Sequence, residues 1–192
     1  MRSVFPAVFS FTLLEAGTAF SQESPPPHLR NPSAQQPSQY AGQQTREIKA
    51  LSPAQTQDLL AGKGMELAKA AELNGYPEPM HVLELADSLQ LSPEQRSSTT
   101  QLLAQRKAEA RTIGGQLIAA ERELDGTFAA QNAQAEAVAR LTQLTGTLQA
   151  ALSNAHLQTH LIQTRLLSPK QVLQYVVLRG YGSGSSSSHS HH

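Results

Sequence analysis

Apolar and small side chains recur through the middle of the chain at helical spacing. Leu103, Ala110, Leu117 and Leu124 form one seven-residue series, and Ile113, Ala120 and Thr127 interleave with it as a second. Together they make the seam of a helix that packs on one partner. Residues 133–166 repeat the period with Val138, Leu141, Leu144, Leu148, Leu152, Ala155, Ile162 and Leu166. The short stretch 129–132 between the two runs is the place for a turn. Folding about Ala130 and Gln131, as in an αα-hairpin with a short loop, pairs residues whose numbers sum to about 261. Leu117 then meets Leu144, Ile113 meets Leu148, Leu124 meets Val138 or Ala137, and Ala110 meets Leu152 or Ala151. The same register sets Gly115 level with Gly146, which predicts either a close backbone approach or a hinge at that height.

Flanking the two long runs, the pattern predicts shorter helices over 52–61, ending at Gly62; over 65–73, stopped by Asn74-Gly75; over 77–90, burying Leu83, Leu85, Ala86 and Leu89; and over 169–178. The last packs back near the open end of the pair. The expected fold is all-α: an elongated antiparallel helical hairpin with short flanking helices, dimerising. One pentapeptide form occurs three times, as Leu51-Ser52-Pro53-Ala54-Gln55, Leu91-Ser92-Pro93-Glu94-Gln95 and Leu167-Ser168-Pro169-Lys170-Gln171. Each reads as a helix start. The serine accepts a bond from an orphan backbone N–H, the proline occupies the first turn where its missing donor is not needed, and the glutamine reaches back as a capping box.

The ends of the chain differ from this middle. Arg2, an apolar stretch from Val4 to Leu14 and Ala19-Phe20-Ser21 have the form of a secretory signal over 1–21. The apolar stretch is about half of the ~20 residues a spanning helix needs. A Pro/Gln/Ser-rich linker is expected over 22–39 and a flexible Gly/Ser/His tail over 180–192, leaving a helical domain over 40–179. The expected location is the periplasm, with no stable membrane insertion.

Fifteen Lys and Arg balance fifteen Asp and Glu, so no overall field draws the chain to nucleic acid or to anionic lipid. The chain has no cysteine, so any metal site must use His, Asp, Glu or Met. His156 and His160 lie four apart and share a helix face, the spacing that chelates a transition metal. With His81, and with Glu84 one turn from it, they offer nitrogen and oxygen ligands that suit Zn, Ni, Co or Cu. Nothing in the sequence matches a metalloprotease, serine-hydrolase or cysteine-nucleophile motif, and the expectation is a binding protein and not an enzyme.

The Leu-Ser-Pro-x-Gln repeats are variants of an LTxxQ motif. With the signal sequence and the two long helical runs, residues 51–178 resemble the Spy/CpxP family of periplasmic stress proteins, which includes ZraP-like and CnrX-like metal-binding relatives. The resemblance implies a cradle-shaped helical homodimer that holds unfolded or misfolded periplasmic proteins without ATP. Its alternative implication is a heavy-metal sensor or resistance protein, with a sensor protein as partner. The balanced charge and the longer helical portion over 65–90 depart from the chaperone members.

Overall fold

The computed structural model describes residues 37–182. The expected signal sequence, the linker as far as residue 36 and the tail from residue 183 lie outside the described residues. The chain divides into two units, Met1–Gln39 and Tyr40–His192, and every helix below belongs to the second. Among the described residues the fold is all-helical, with α1 (Pro53–Ala61), α2 (Lys69–Glu72), α3 (Pro79–Glu84), α4 (Pro93–Ala129), α5 (Ala135–Leu166) and α6 (Pro169–Leu178). A single 3-10 turn, Gln43–Thr45, precedes them. None of the described helices is long and apolar enough to cross a membrane.

Helices α1, α4 and α6 begin at the three repeats. In each, the serine side chain accepts from the glutamine N–H while the glutamine side chain accepts from the serine N–H. The second and third copies do more. Gln95 Nε2 donates to Gln171 Oε1 (2.9 Å) and to Leu166 O (2.9 Å), and Gln171 Nε2 donates to Gln95 Oε1 (3.0 Å) and to Leu89 O (3.1 Å). The two capping glutamines thus form a reciprocal amide pair that ties the start of α4 to the α5–α6 junction. Gln55 of the first copy makes the capping box alone.

Helix α4 ends without a glycine. Gln131 takes a left-handed φ of 53°, its N–H bonds Phe128 O at 3.0 Å, and Asn132 N–H bonds Thr127 O at 3.2 Å. These are the two bonds of a Schellman ending, in which glycine is the usual left-handed residue. Past this turn α5 packs antiparallel along α4. The cross-helix pairs Thr99–Gln163, Arg106–His156 and Glu123–Arg140 have numbers that sum to 262 or 263. That register brings Thr145, which is buried, level with Leu117, and leaves Leu144 at 39 % exposed. The expected Leu117–Leu144 layer is corrected accordingly, and Ile162 is likewise exposed.

The core is in two parts. Ile48, Leu59, Ala110, Leu117, Ile118, Ala120, Leu148 and Leu152 form one cluster, and Val82, Ala86, Leu89, Leu91, Leu167 and Tyr175 form the other. Leu141 is buried as the pattern expects, while on α4 Leu102 is buried and the expected seam residue Leu103 only half-buried. The expected helices over 65–73 and 77–90 are shorter than predicted. Met65 and Glu66 both adopt left-handed backbone (φ 45° and 61°), which delays α2 to Lys69 while Met65 and Leu67 pack on the first cluster. After Glu84 the chain runs in turns to Gln90, left-handed at φ 50°.

No close backbone approach is made at the two glycines for which the pattern predicts a close approach or a hinge. A Cβ added at Gly115 or Gly146 meets nothing within 4 Å, whereas one added at Gly114 lies 2.7 Å from Leu59 O. The close approach is between α4 and the end of α1, one residue from where the pattern put it. Both α4 and α5 run unbroken through these positions.

Two outcomes follow. Gly114→Ala forces α1 away from α4 and costs about 1–3 kcal/mol, while Gly115→Ala removes backbone entropy from the unfolded chain and stabilises by about 0.5–1 kcal/mol; urea denaturation of the two variants gives opposite signs. Gln95→Glu keeps a residue able to complete the capping box but sets a carboxylate against Gln171 Oε1 and Leu166 O, and costs about 1–3 kcal/mol. Gln55→Glu, which has no such neighbour, stays within about 0.5 kcal/mol.

Candidate functional site

Between the two apolar clusters the α4–α5 seam turns polar. Thr99 and Arg106 of α4 and His156, Thr159, His160 and Gln163 of α5 are all buried. The loop after α1, α2 and the start of α3 lie over this layer, and a cavity of about 900 Å³ opens there, with Arg106, His81, His156 and His160 among its lining residues. His81 comes from α3, whose start is fixed by Glu78, whose side chain accepts from His81 N–H at 3.0 Å. Glu84 does not line the cavity. It lies exposed at the end of α3, so the expected fourth member of the cluster is removed.

Arg106, 6 % exposed, organises one side of the layer. Its Nη1 donates to Gly62 O (3.2 Å) and lies 3.2 Å from His156 Nδ1, and its Nη2 donates to Glu78 Oε1 (3.4 Å). A guanidinium only donates, so His156 Nδ1 is the acceptor and the imidazole proton sits on Nε2. Neither His156 Nε2 nor Arg106 Nε has a partner. Burial first, then the Arg106 charge, then His160, hold the His156 imidazole down to about 4. Burial also lowers Arg106, against the opposing pull of Glu78.

Glu72 of α2 organises the other side. It accepts from the Tyr175 hydroxyl (2.7 and 2.9 Å) and from Arg179 Nε (3.2 Å), and its oxygens lie 3.4 Å from His81 Nδ1 and 4.0 Å from His160 Nδ1. His160 Nδ1 is nearer to Tyr76 O, at 2.8 Å, and a carbonyl only accepts, so that nitrogen carries its proton. Burial pushes the Tyr175 hydroxyl well above its ordinary range, with a further push from the Glu72 carboxylate and an opposing bond from Glu78 N–H. Tyr175 therefore stays a donor to Glu72.

The three expected metal-binding histidines are thus gathered around one cavity, but their Nδ1 atoms are committed to Arg106, Tyr76 O and the Glu72–Tyr175 group. Among the described residues no three of His, Asp or Glu are arranged to hold a metal ion. A cation would also sit beside the Arg106 guanidinium. With Nδ1 accepting from Arg106, His156 Nε2 carries its proton and offers no lone pair to Zn, Ni, Co or Cu. The residues that the sequence reading missed are Arg106, Glu72, Glu78 and Tyr175. Arg106 had a signal: with Leu103, Ala110 and Ile113 it falls at helical spacing on the apolar stripe, where a charged side chain is out of place unless something meets it.

Set against family models, curated proteins and solved structures, the chain matches none of them.

The buried imidazole makes stability depend on pH. His156 titrates near 6.5 in the unfolded chain and at about 4 in the fold, so protonation favours unfolding. Its contribution is fully present above pH 6.5 and is lost as the pH falls through 4, a loss of about 3 kcal/mol. Denaturant titrations across that window should show the fall in the wild type and a shallower one in His156→Gln, whose amide oxygen can still accept from Arg106. Equal slopes in both proteins would exclude His156 as the source.

Proposed function

We propose that the protein is an ATP-independent binding protein of the periplasm that holds unfolded or misfolded proteins under envelope stress, in the manner of the Spy/CpxP family. It acts by binding and not by catalysis, as a homodimer of helical hairpins. The observation that carries this reading is the outer face of α6. Tyr175 on its inner face is fully buried, yet Leu173 and Val177, one turn apart, are 69 % and 68 % exposed, and Leu178 is 43 % exposed. Leu161 and Ile162 add exposed apolar surface on α5. A helix that is apolar on both sides is normally buried on both, so the outer face of α6 is surface for another chain to cover. The three capping repeats support the family, since each forms the same helix start.

A heavy-metal sensor built on His81, His156 and His160 is the weaker reading, because His156 would first have to leave Arg106. Light scattering of a reduced or heat-unfolded client distinguishes the outcomes. The wild type suppresses aggregation near stoichiometry without nucleotide. Leu173→Ser with Val177→Ser loses that protection several-fold at unchanged helicity, since both side chains are already in solvent. No protection by the wild type at several-fold excess across clients overturns the proposal.

A further inference from the structure

We infer that the cavity over the polar layer is a binding site for a small organic anion with an apolar stem. At about 900 Å³ it is of the size that encloses a small molecule, ~300–1,000 Å³. The charges on its wall do not cancel. Each wall carboxylate is already engaged: Glu66 with Lys69 at 3.6 Å, Glu72 with Arg179 at 3.2 Å and Glu78 with Arg106 at 3.4 Å. Lys63 is neutralised from outside the cavity by Asp58 at 2.7 Å.

Two cations are left over. Lys107 and Arg111 line the cavity, and among the described residues neither has an ion-pair partner; Arg111 Nε donates only to Ala61 O, at 3.4 Å. Four residues apart on α4, they project from one face. Arg106 and His156 also line the cavity, and each keeps a buried nitrogen without a partner, Arg106 Nε and His156 Nε2. Both nitrogens are shut off from solvent, so the ligand is selected by the two unpaired cations on the wall, whose counterpart is an oxyanion. Met65, Ala68, Leu73 and Met80, also on the wall, are the apolar surface for the stem. An ammonium and a guanidinium without counter-charge are the arrangement that carboxylates and phosphates recognise, and the opposite of what a metal cation needs.

The test is calorimetry on the full chain with octanoate, octyl phosphate, octanol and acetate. The expected result is one site per chain for octanoate or octyl phosphate, with the tighter of the two naming the head group. Octanol and acetate each bind about tenfold more weakly or worse, one for want of charge and the other for want of a stem. Lys107→Ala with Arg111→Ala weakens the amphiphilic anion by about tenfold while octanol is unaffected, and these two side chains lie at the surface of α4, so circular dichroism should show the fold intact. Leu173→Ser leaves this binding unchanged, which separates the site from the client surface proposed on α6. Octanol binding as tightly as octanoate and octyl phosphate, no binding of either anion, or binding indifferent to the double substitution overturns the inference.

Discussion

A charged guanidinium inside a helix–helix seam sets the terms for the rest of this fold. Burying Arg106 without partners costs several kcal/mol, and α4 and α5 alone supply only one acceptor, His156 Nδ1. The others come from the short elements: the Gly62 carbonyl at the end of α1 and the Glu78 carboxylate ahead of α3. Gly62 reaches its place by a left-handed φ of 65°, and a Cβ added there would lie 2.7 Å from Lys107 O, so a side chain would not fit. Glu78 is held by its own capping bond to His81 N–H. Satisfying this one cation ties the end of α1 and the start of α3 to the helix pair, beside the apolar packing of Leu59 and Val82, and Gly62, Glu78 and Arg106 all line the cavity.

What the sequence made legible was whatever is decided locally. A serine, a proline and a glutamine within four residues decide a helix start by bonds that span three positions, and all three starts lie where the pentapeptide puts them. The long helices follow from periodicity, which is also local. Register is not local: it came out one or two residues from the expected sum, and one residue turns a helical position by about 100°. That is enough to exchange Leu144 for Thr145 at the seam. The lower half of the seam was harder still, because Thr99, Arg106, His156, Thr159, His160 and Gln163 are buried there in positions that an apolar stripe does not announce.

The histidines show the same division. Their shared face at i, i+4 was readable, and they do meet at one cavity with His81. Their chemistry was not readable, because it depends on which group each Nδ1 meets: Arg106 is 50 residues from His156, Tyr76 is 84 from His160 and Tyr175 is 94 from His81. Glu72 is the clearest case. From sequence it is a carboxylate on a short polar helix; in the fold it takes Tyr175, Arg179 and the edge of His81. Such a site is built by convergence of α2, α3, α5 and α6, and no spacing within one element encodes it.

The three repeats are identical in form and unequal in use, and the inequality bears on what a shared motif can mean. Gln95 and Gln171 each bond the carbonyl just upstream of the other's pentapeptide, Leu166 for one and Leu89 for the other. The exchange is nearly twofold symmetric, and it needs both the oxygen and the nitrogen of the amide, which explains glutamine at a position where a capping box alone would accept glutamate. Gln55 lacks a mate and performs only the cap. The motif in this chain is thus a device for locking helix starts together at the base of the long pair, with its polar atoms spent on backbone. Under the binding function proposed, recognition of another molecule falls to surfaces the lock leaves free, among them the cavity over Arg106 and the outer face of α6.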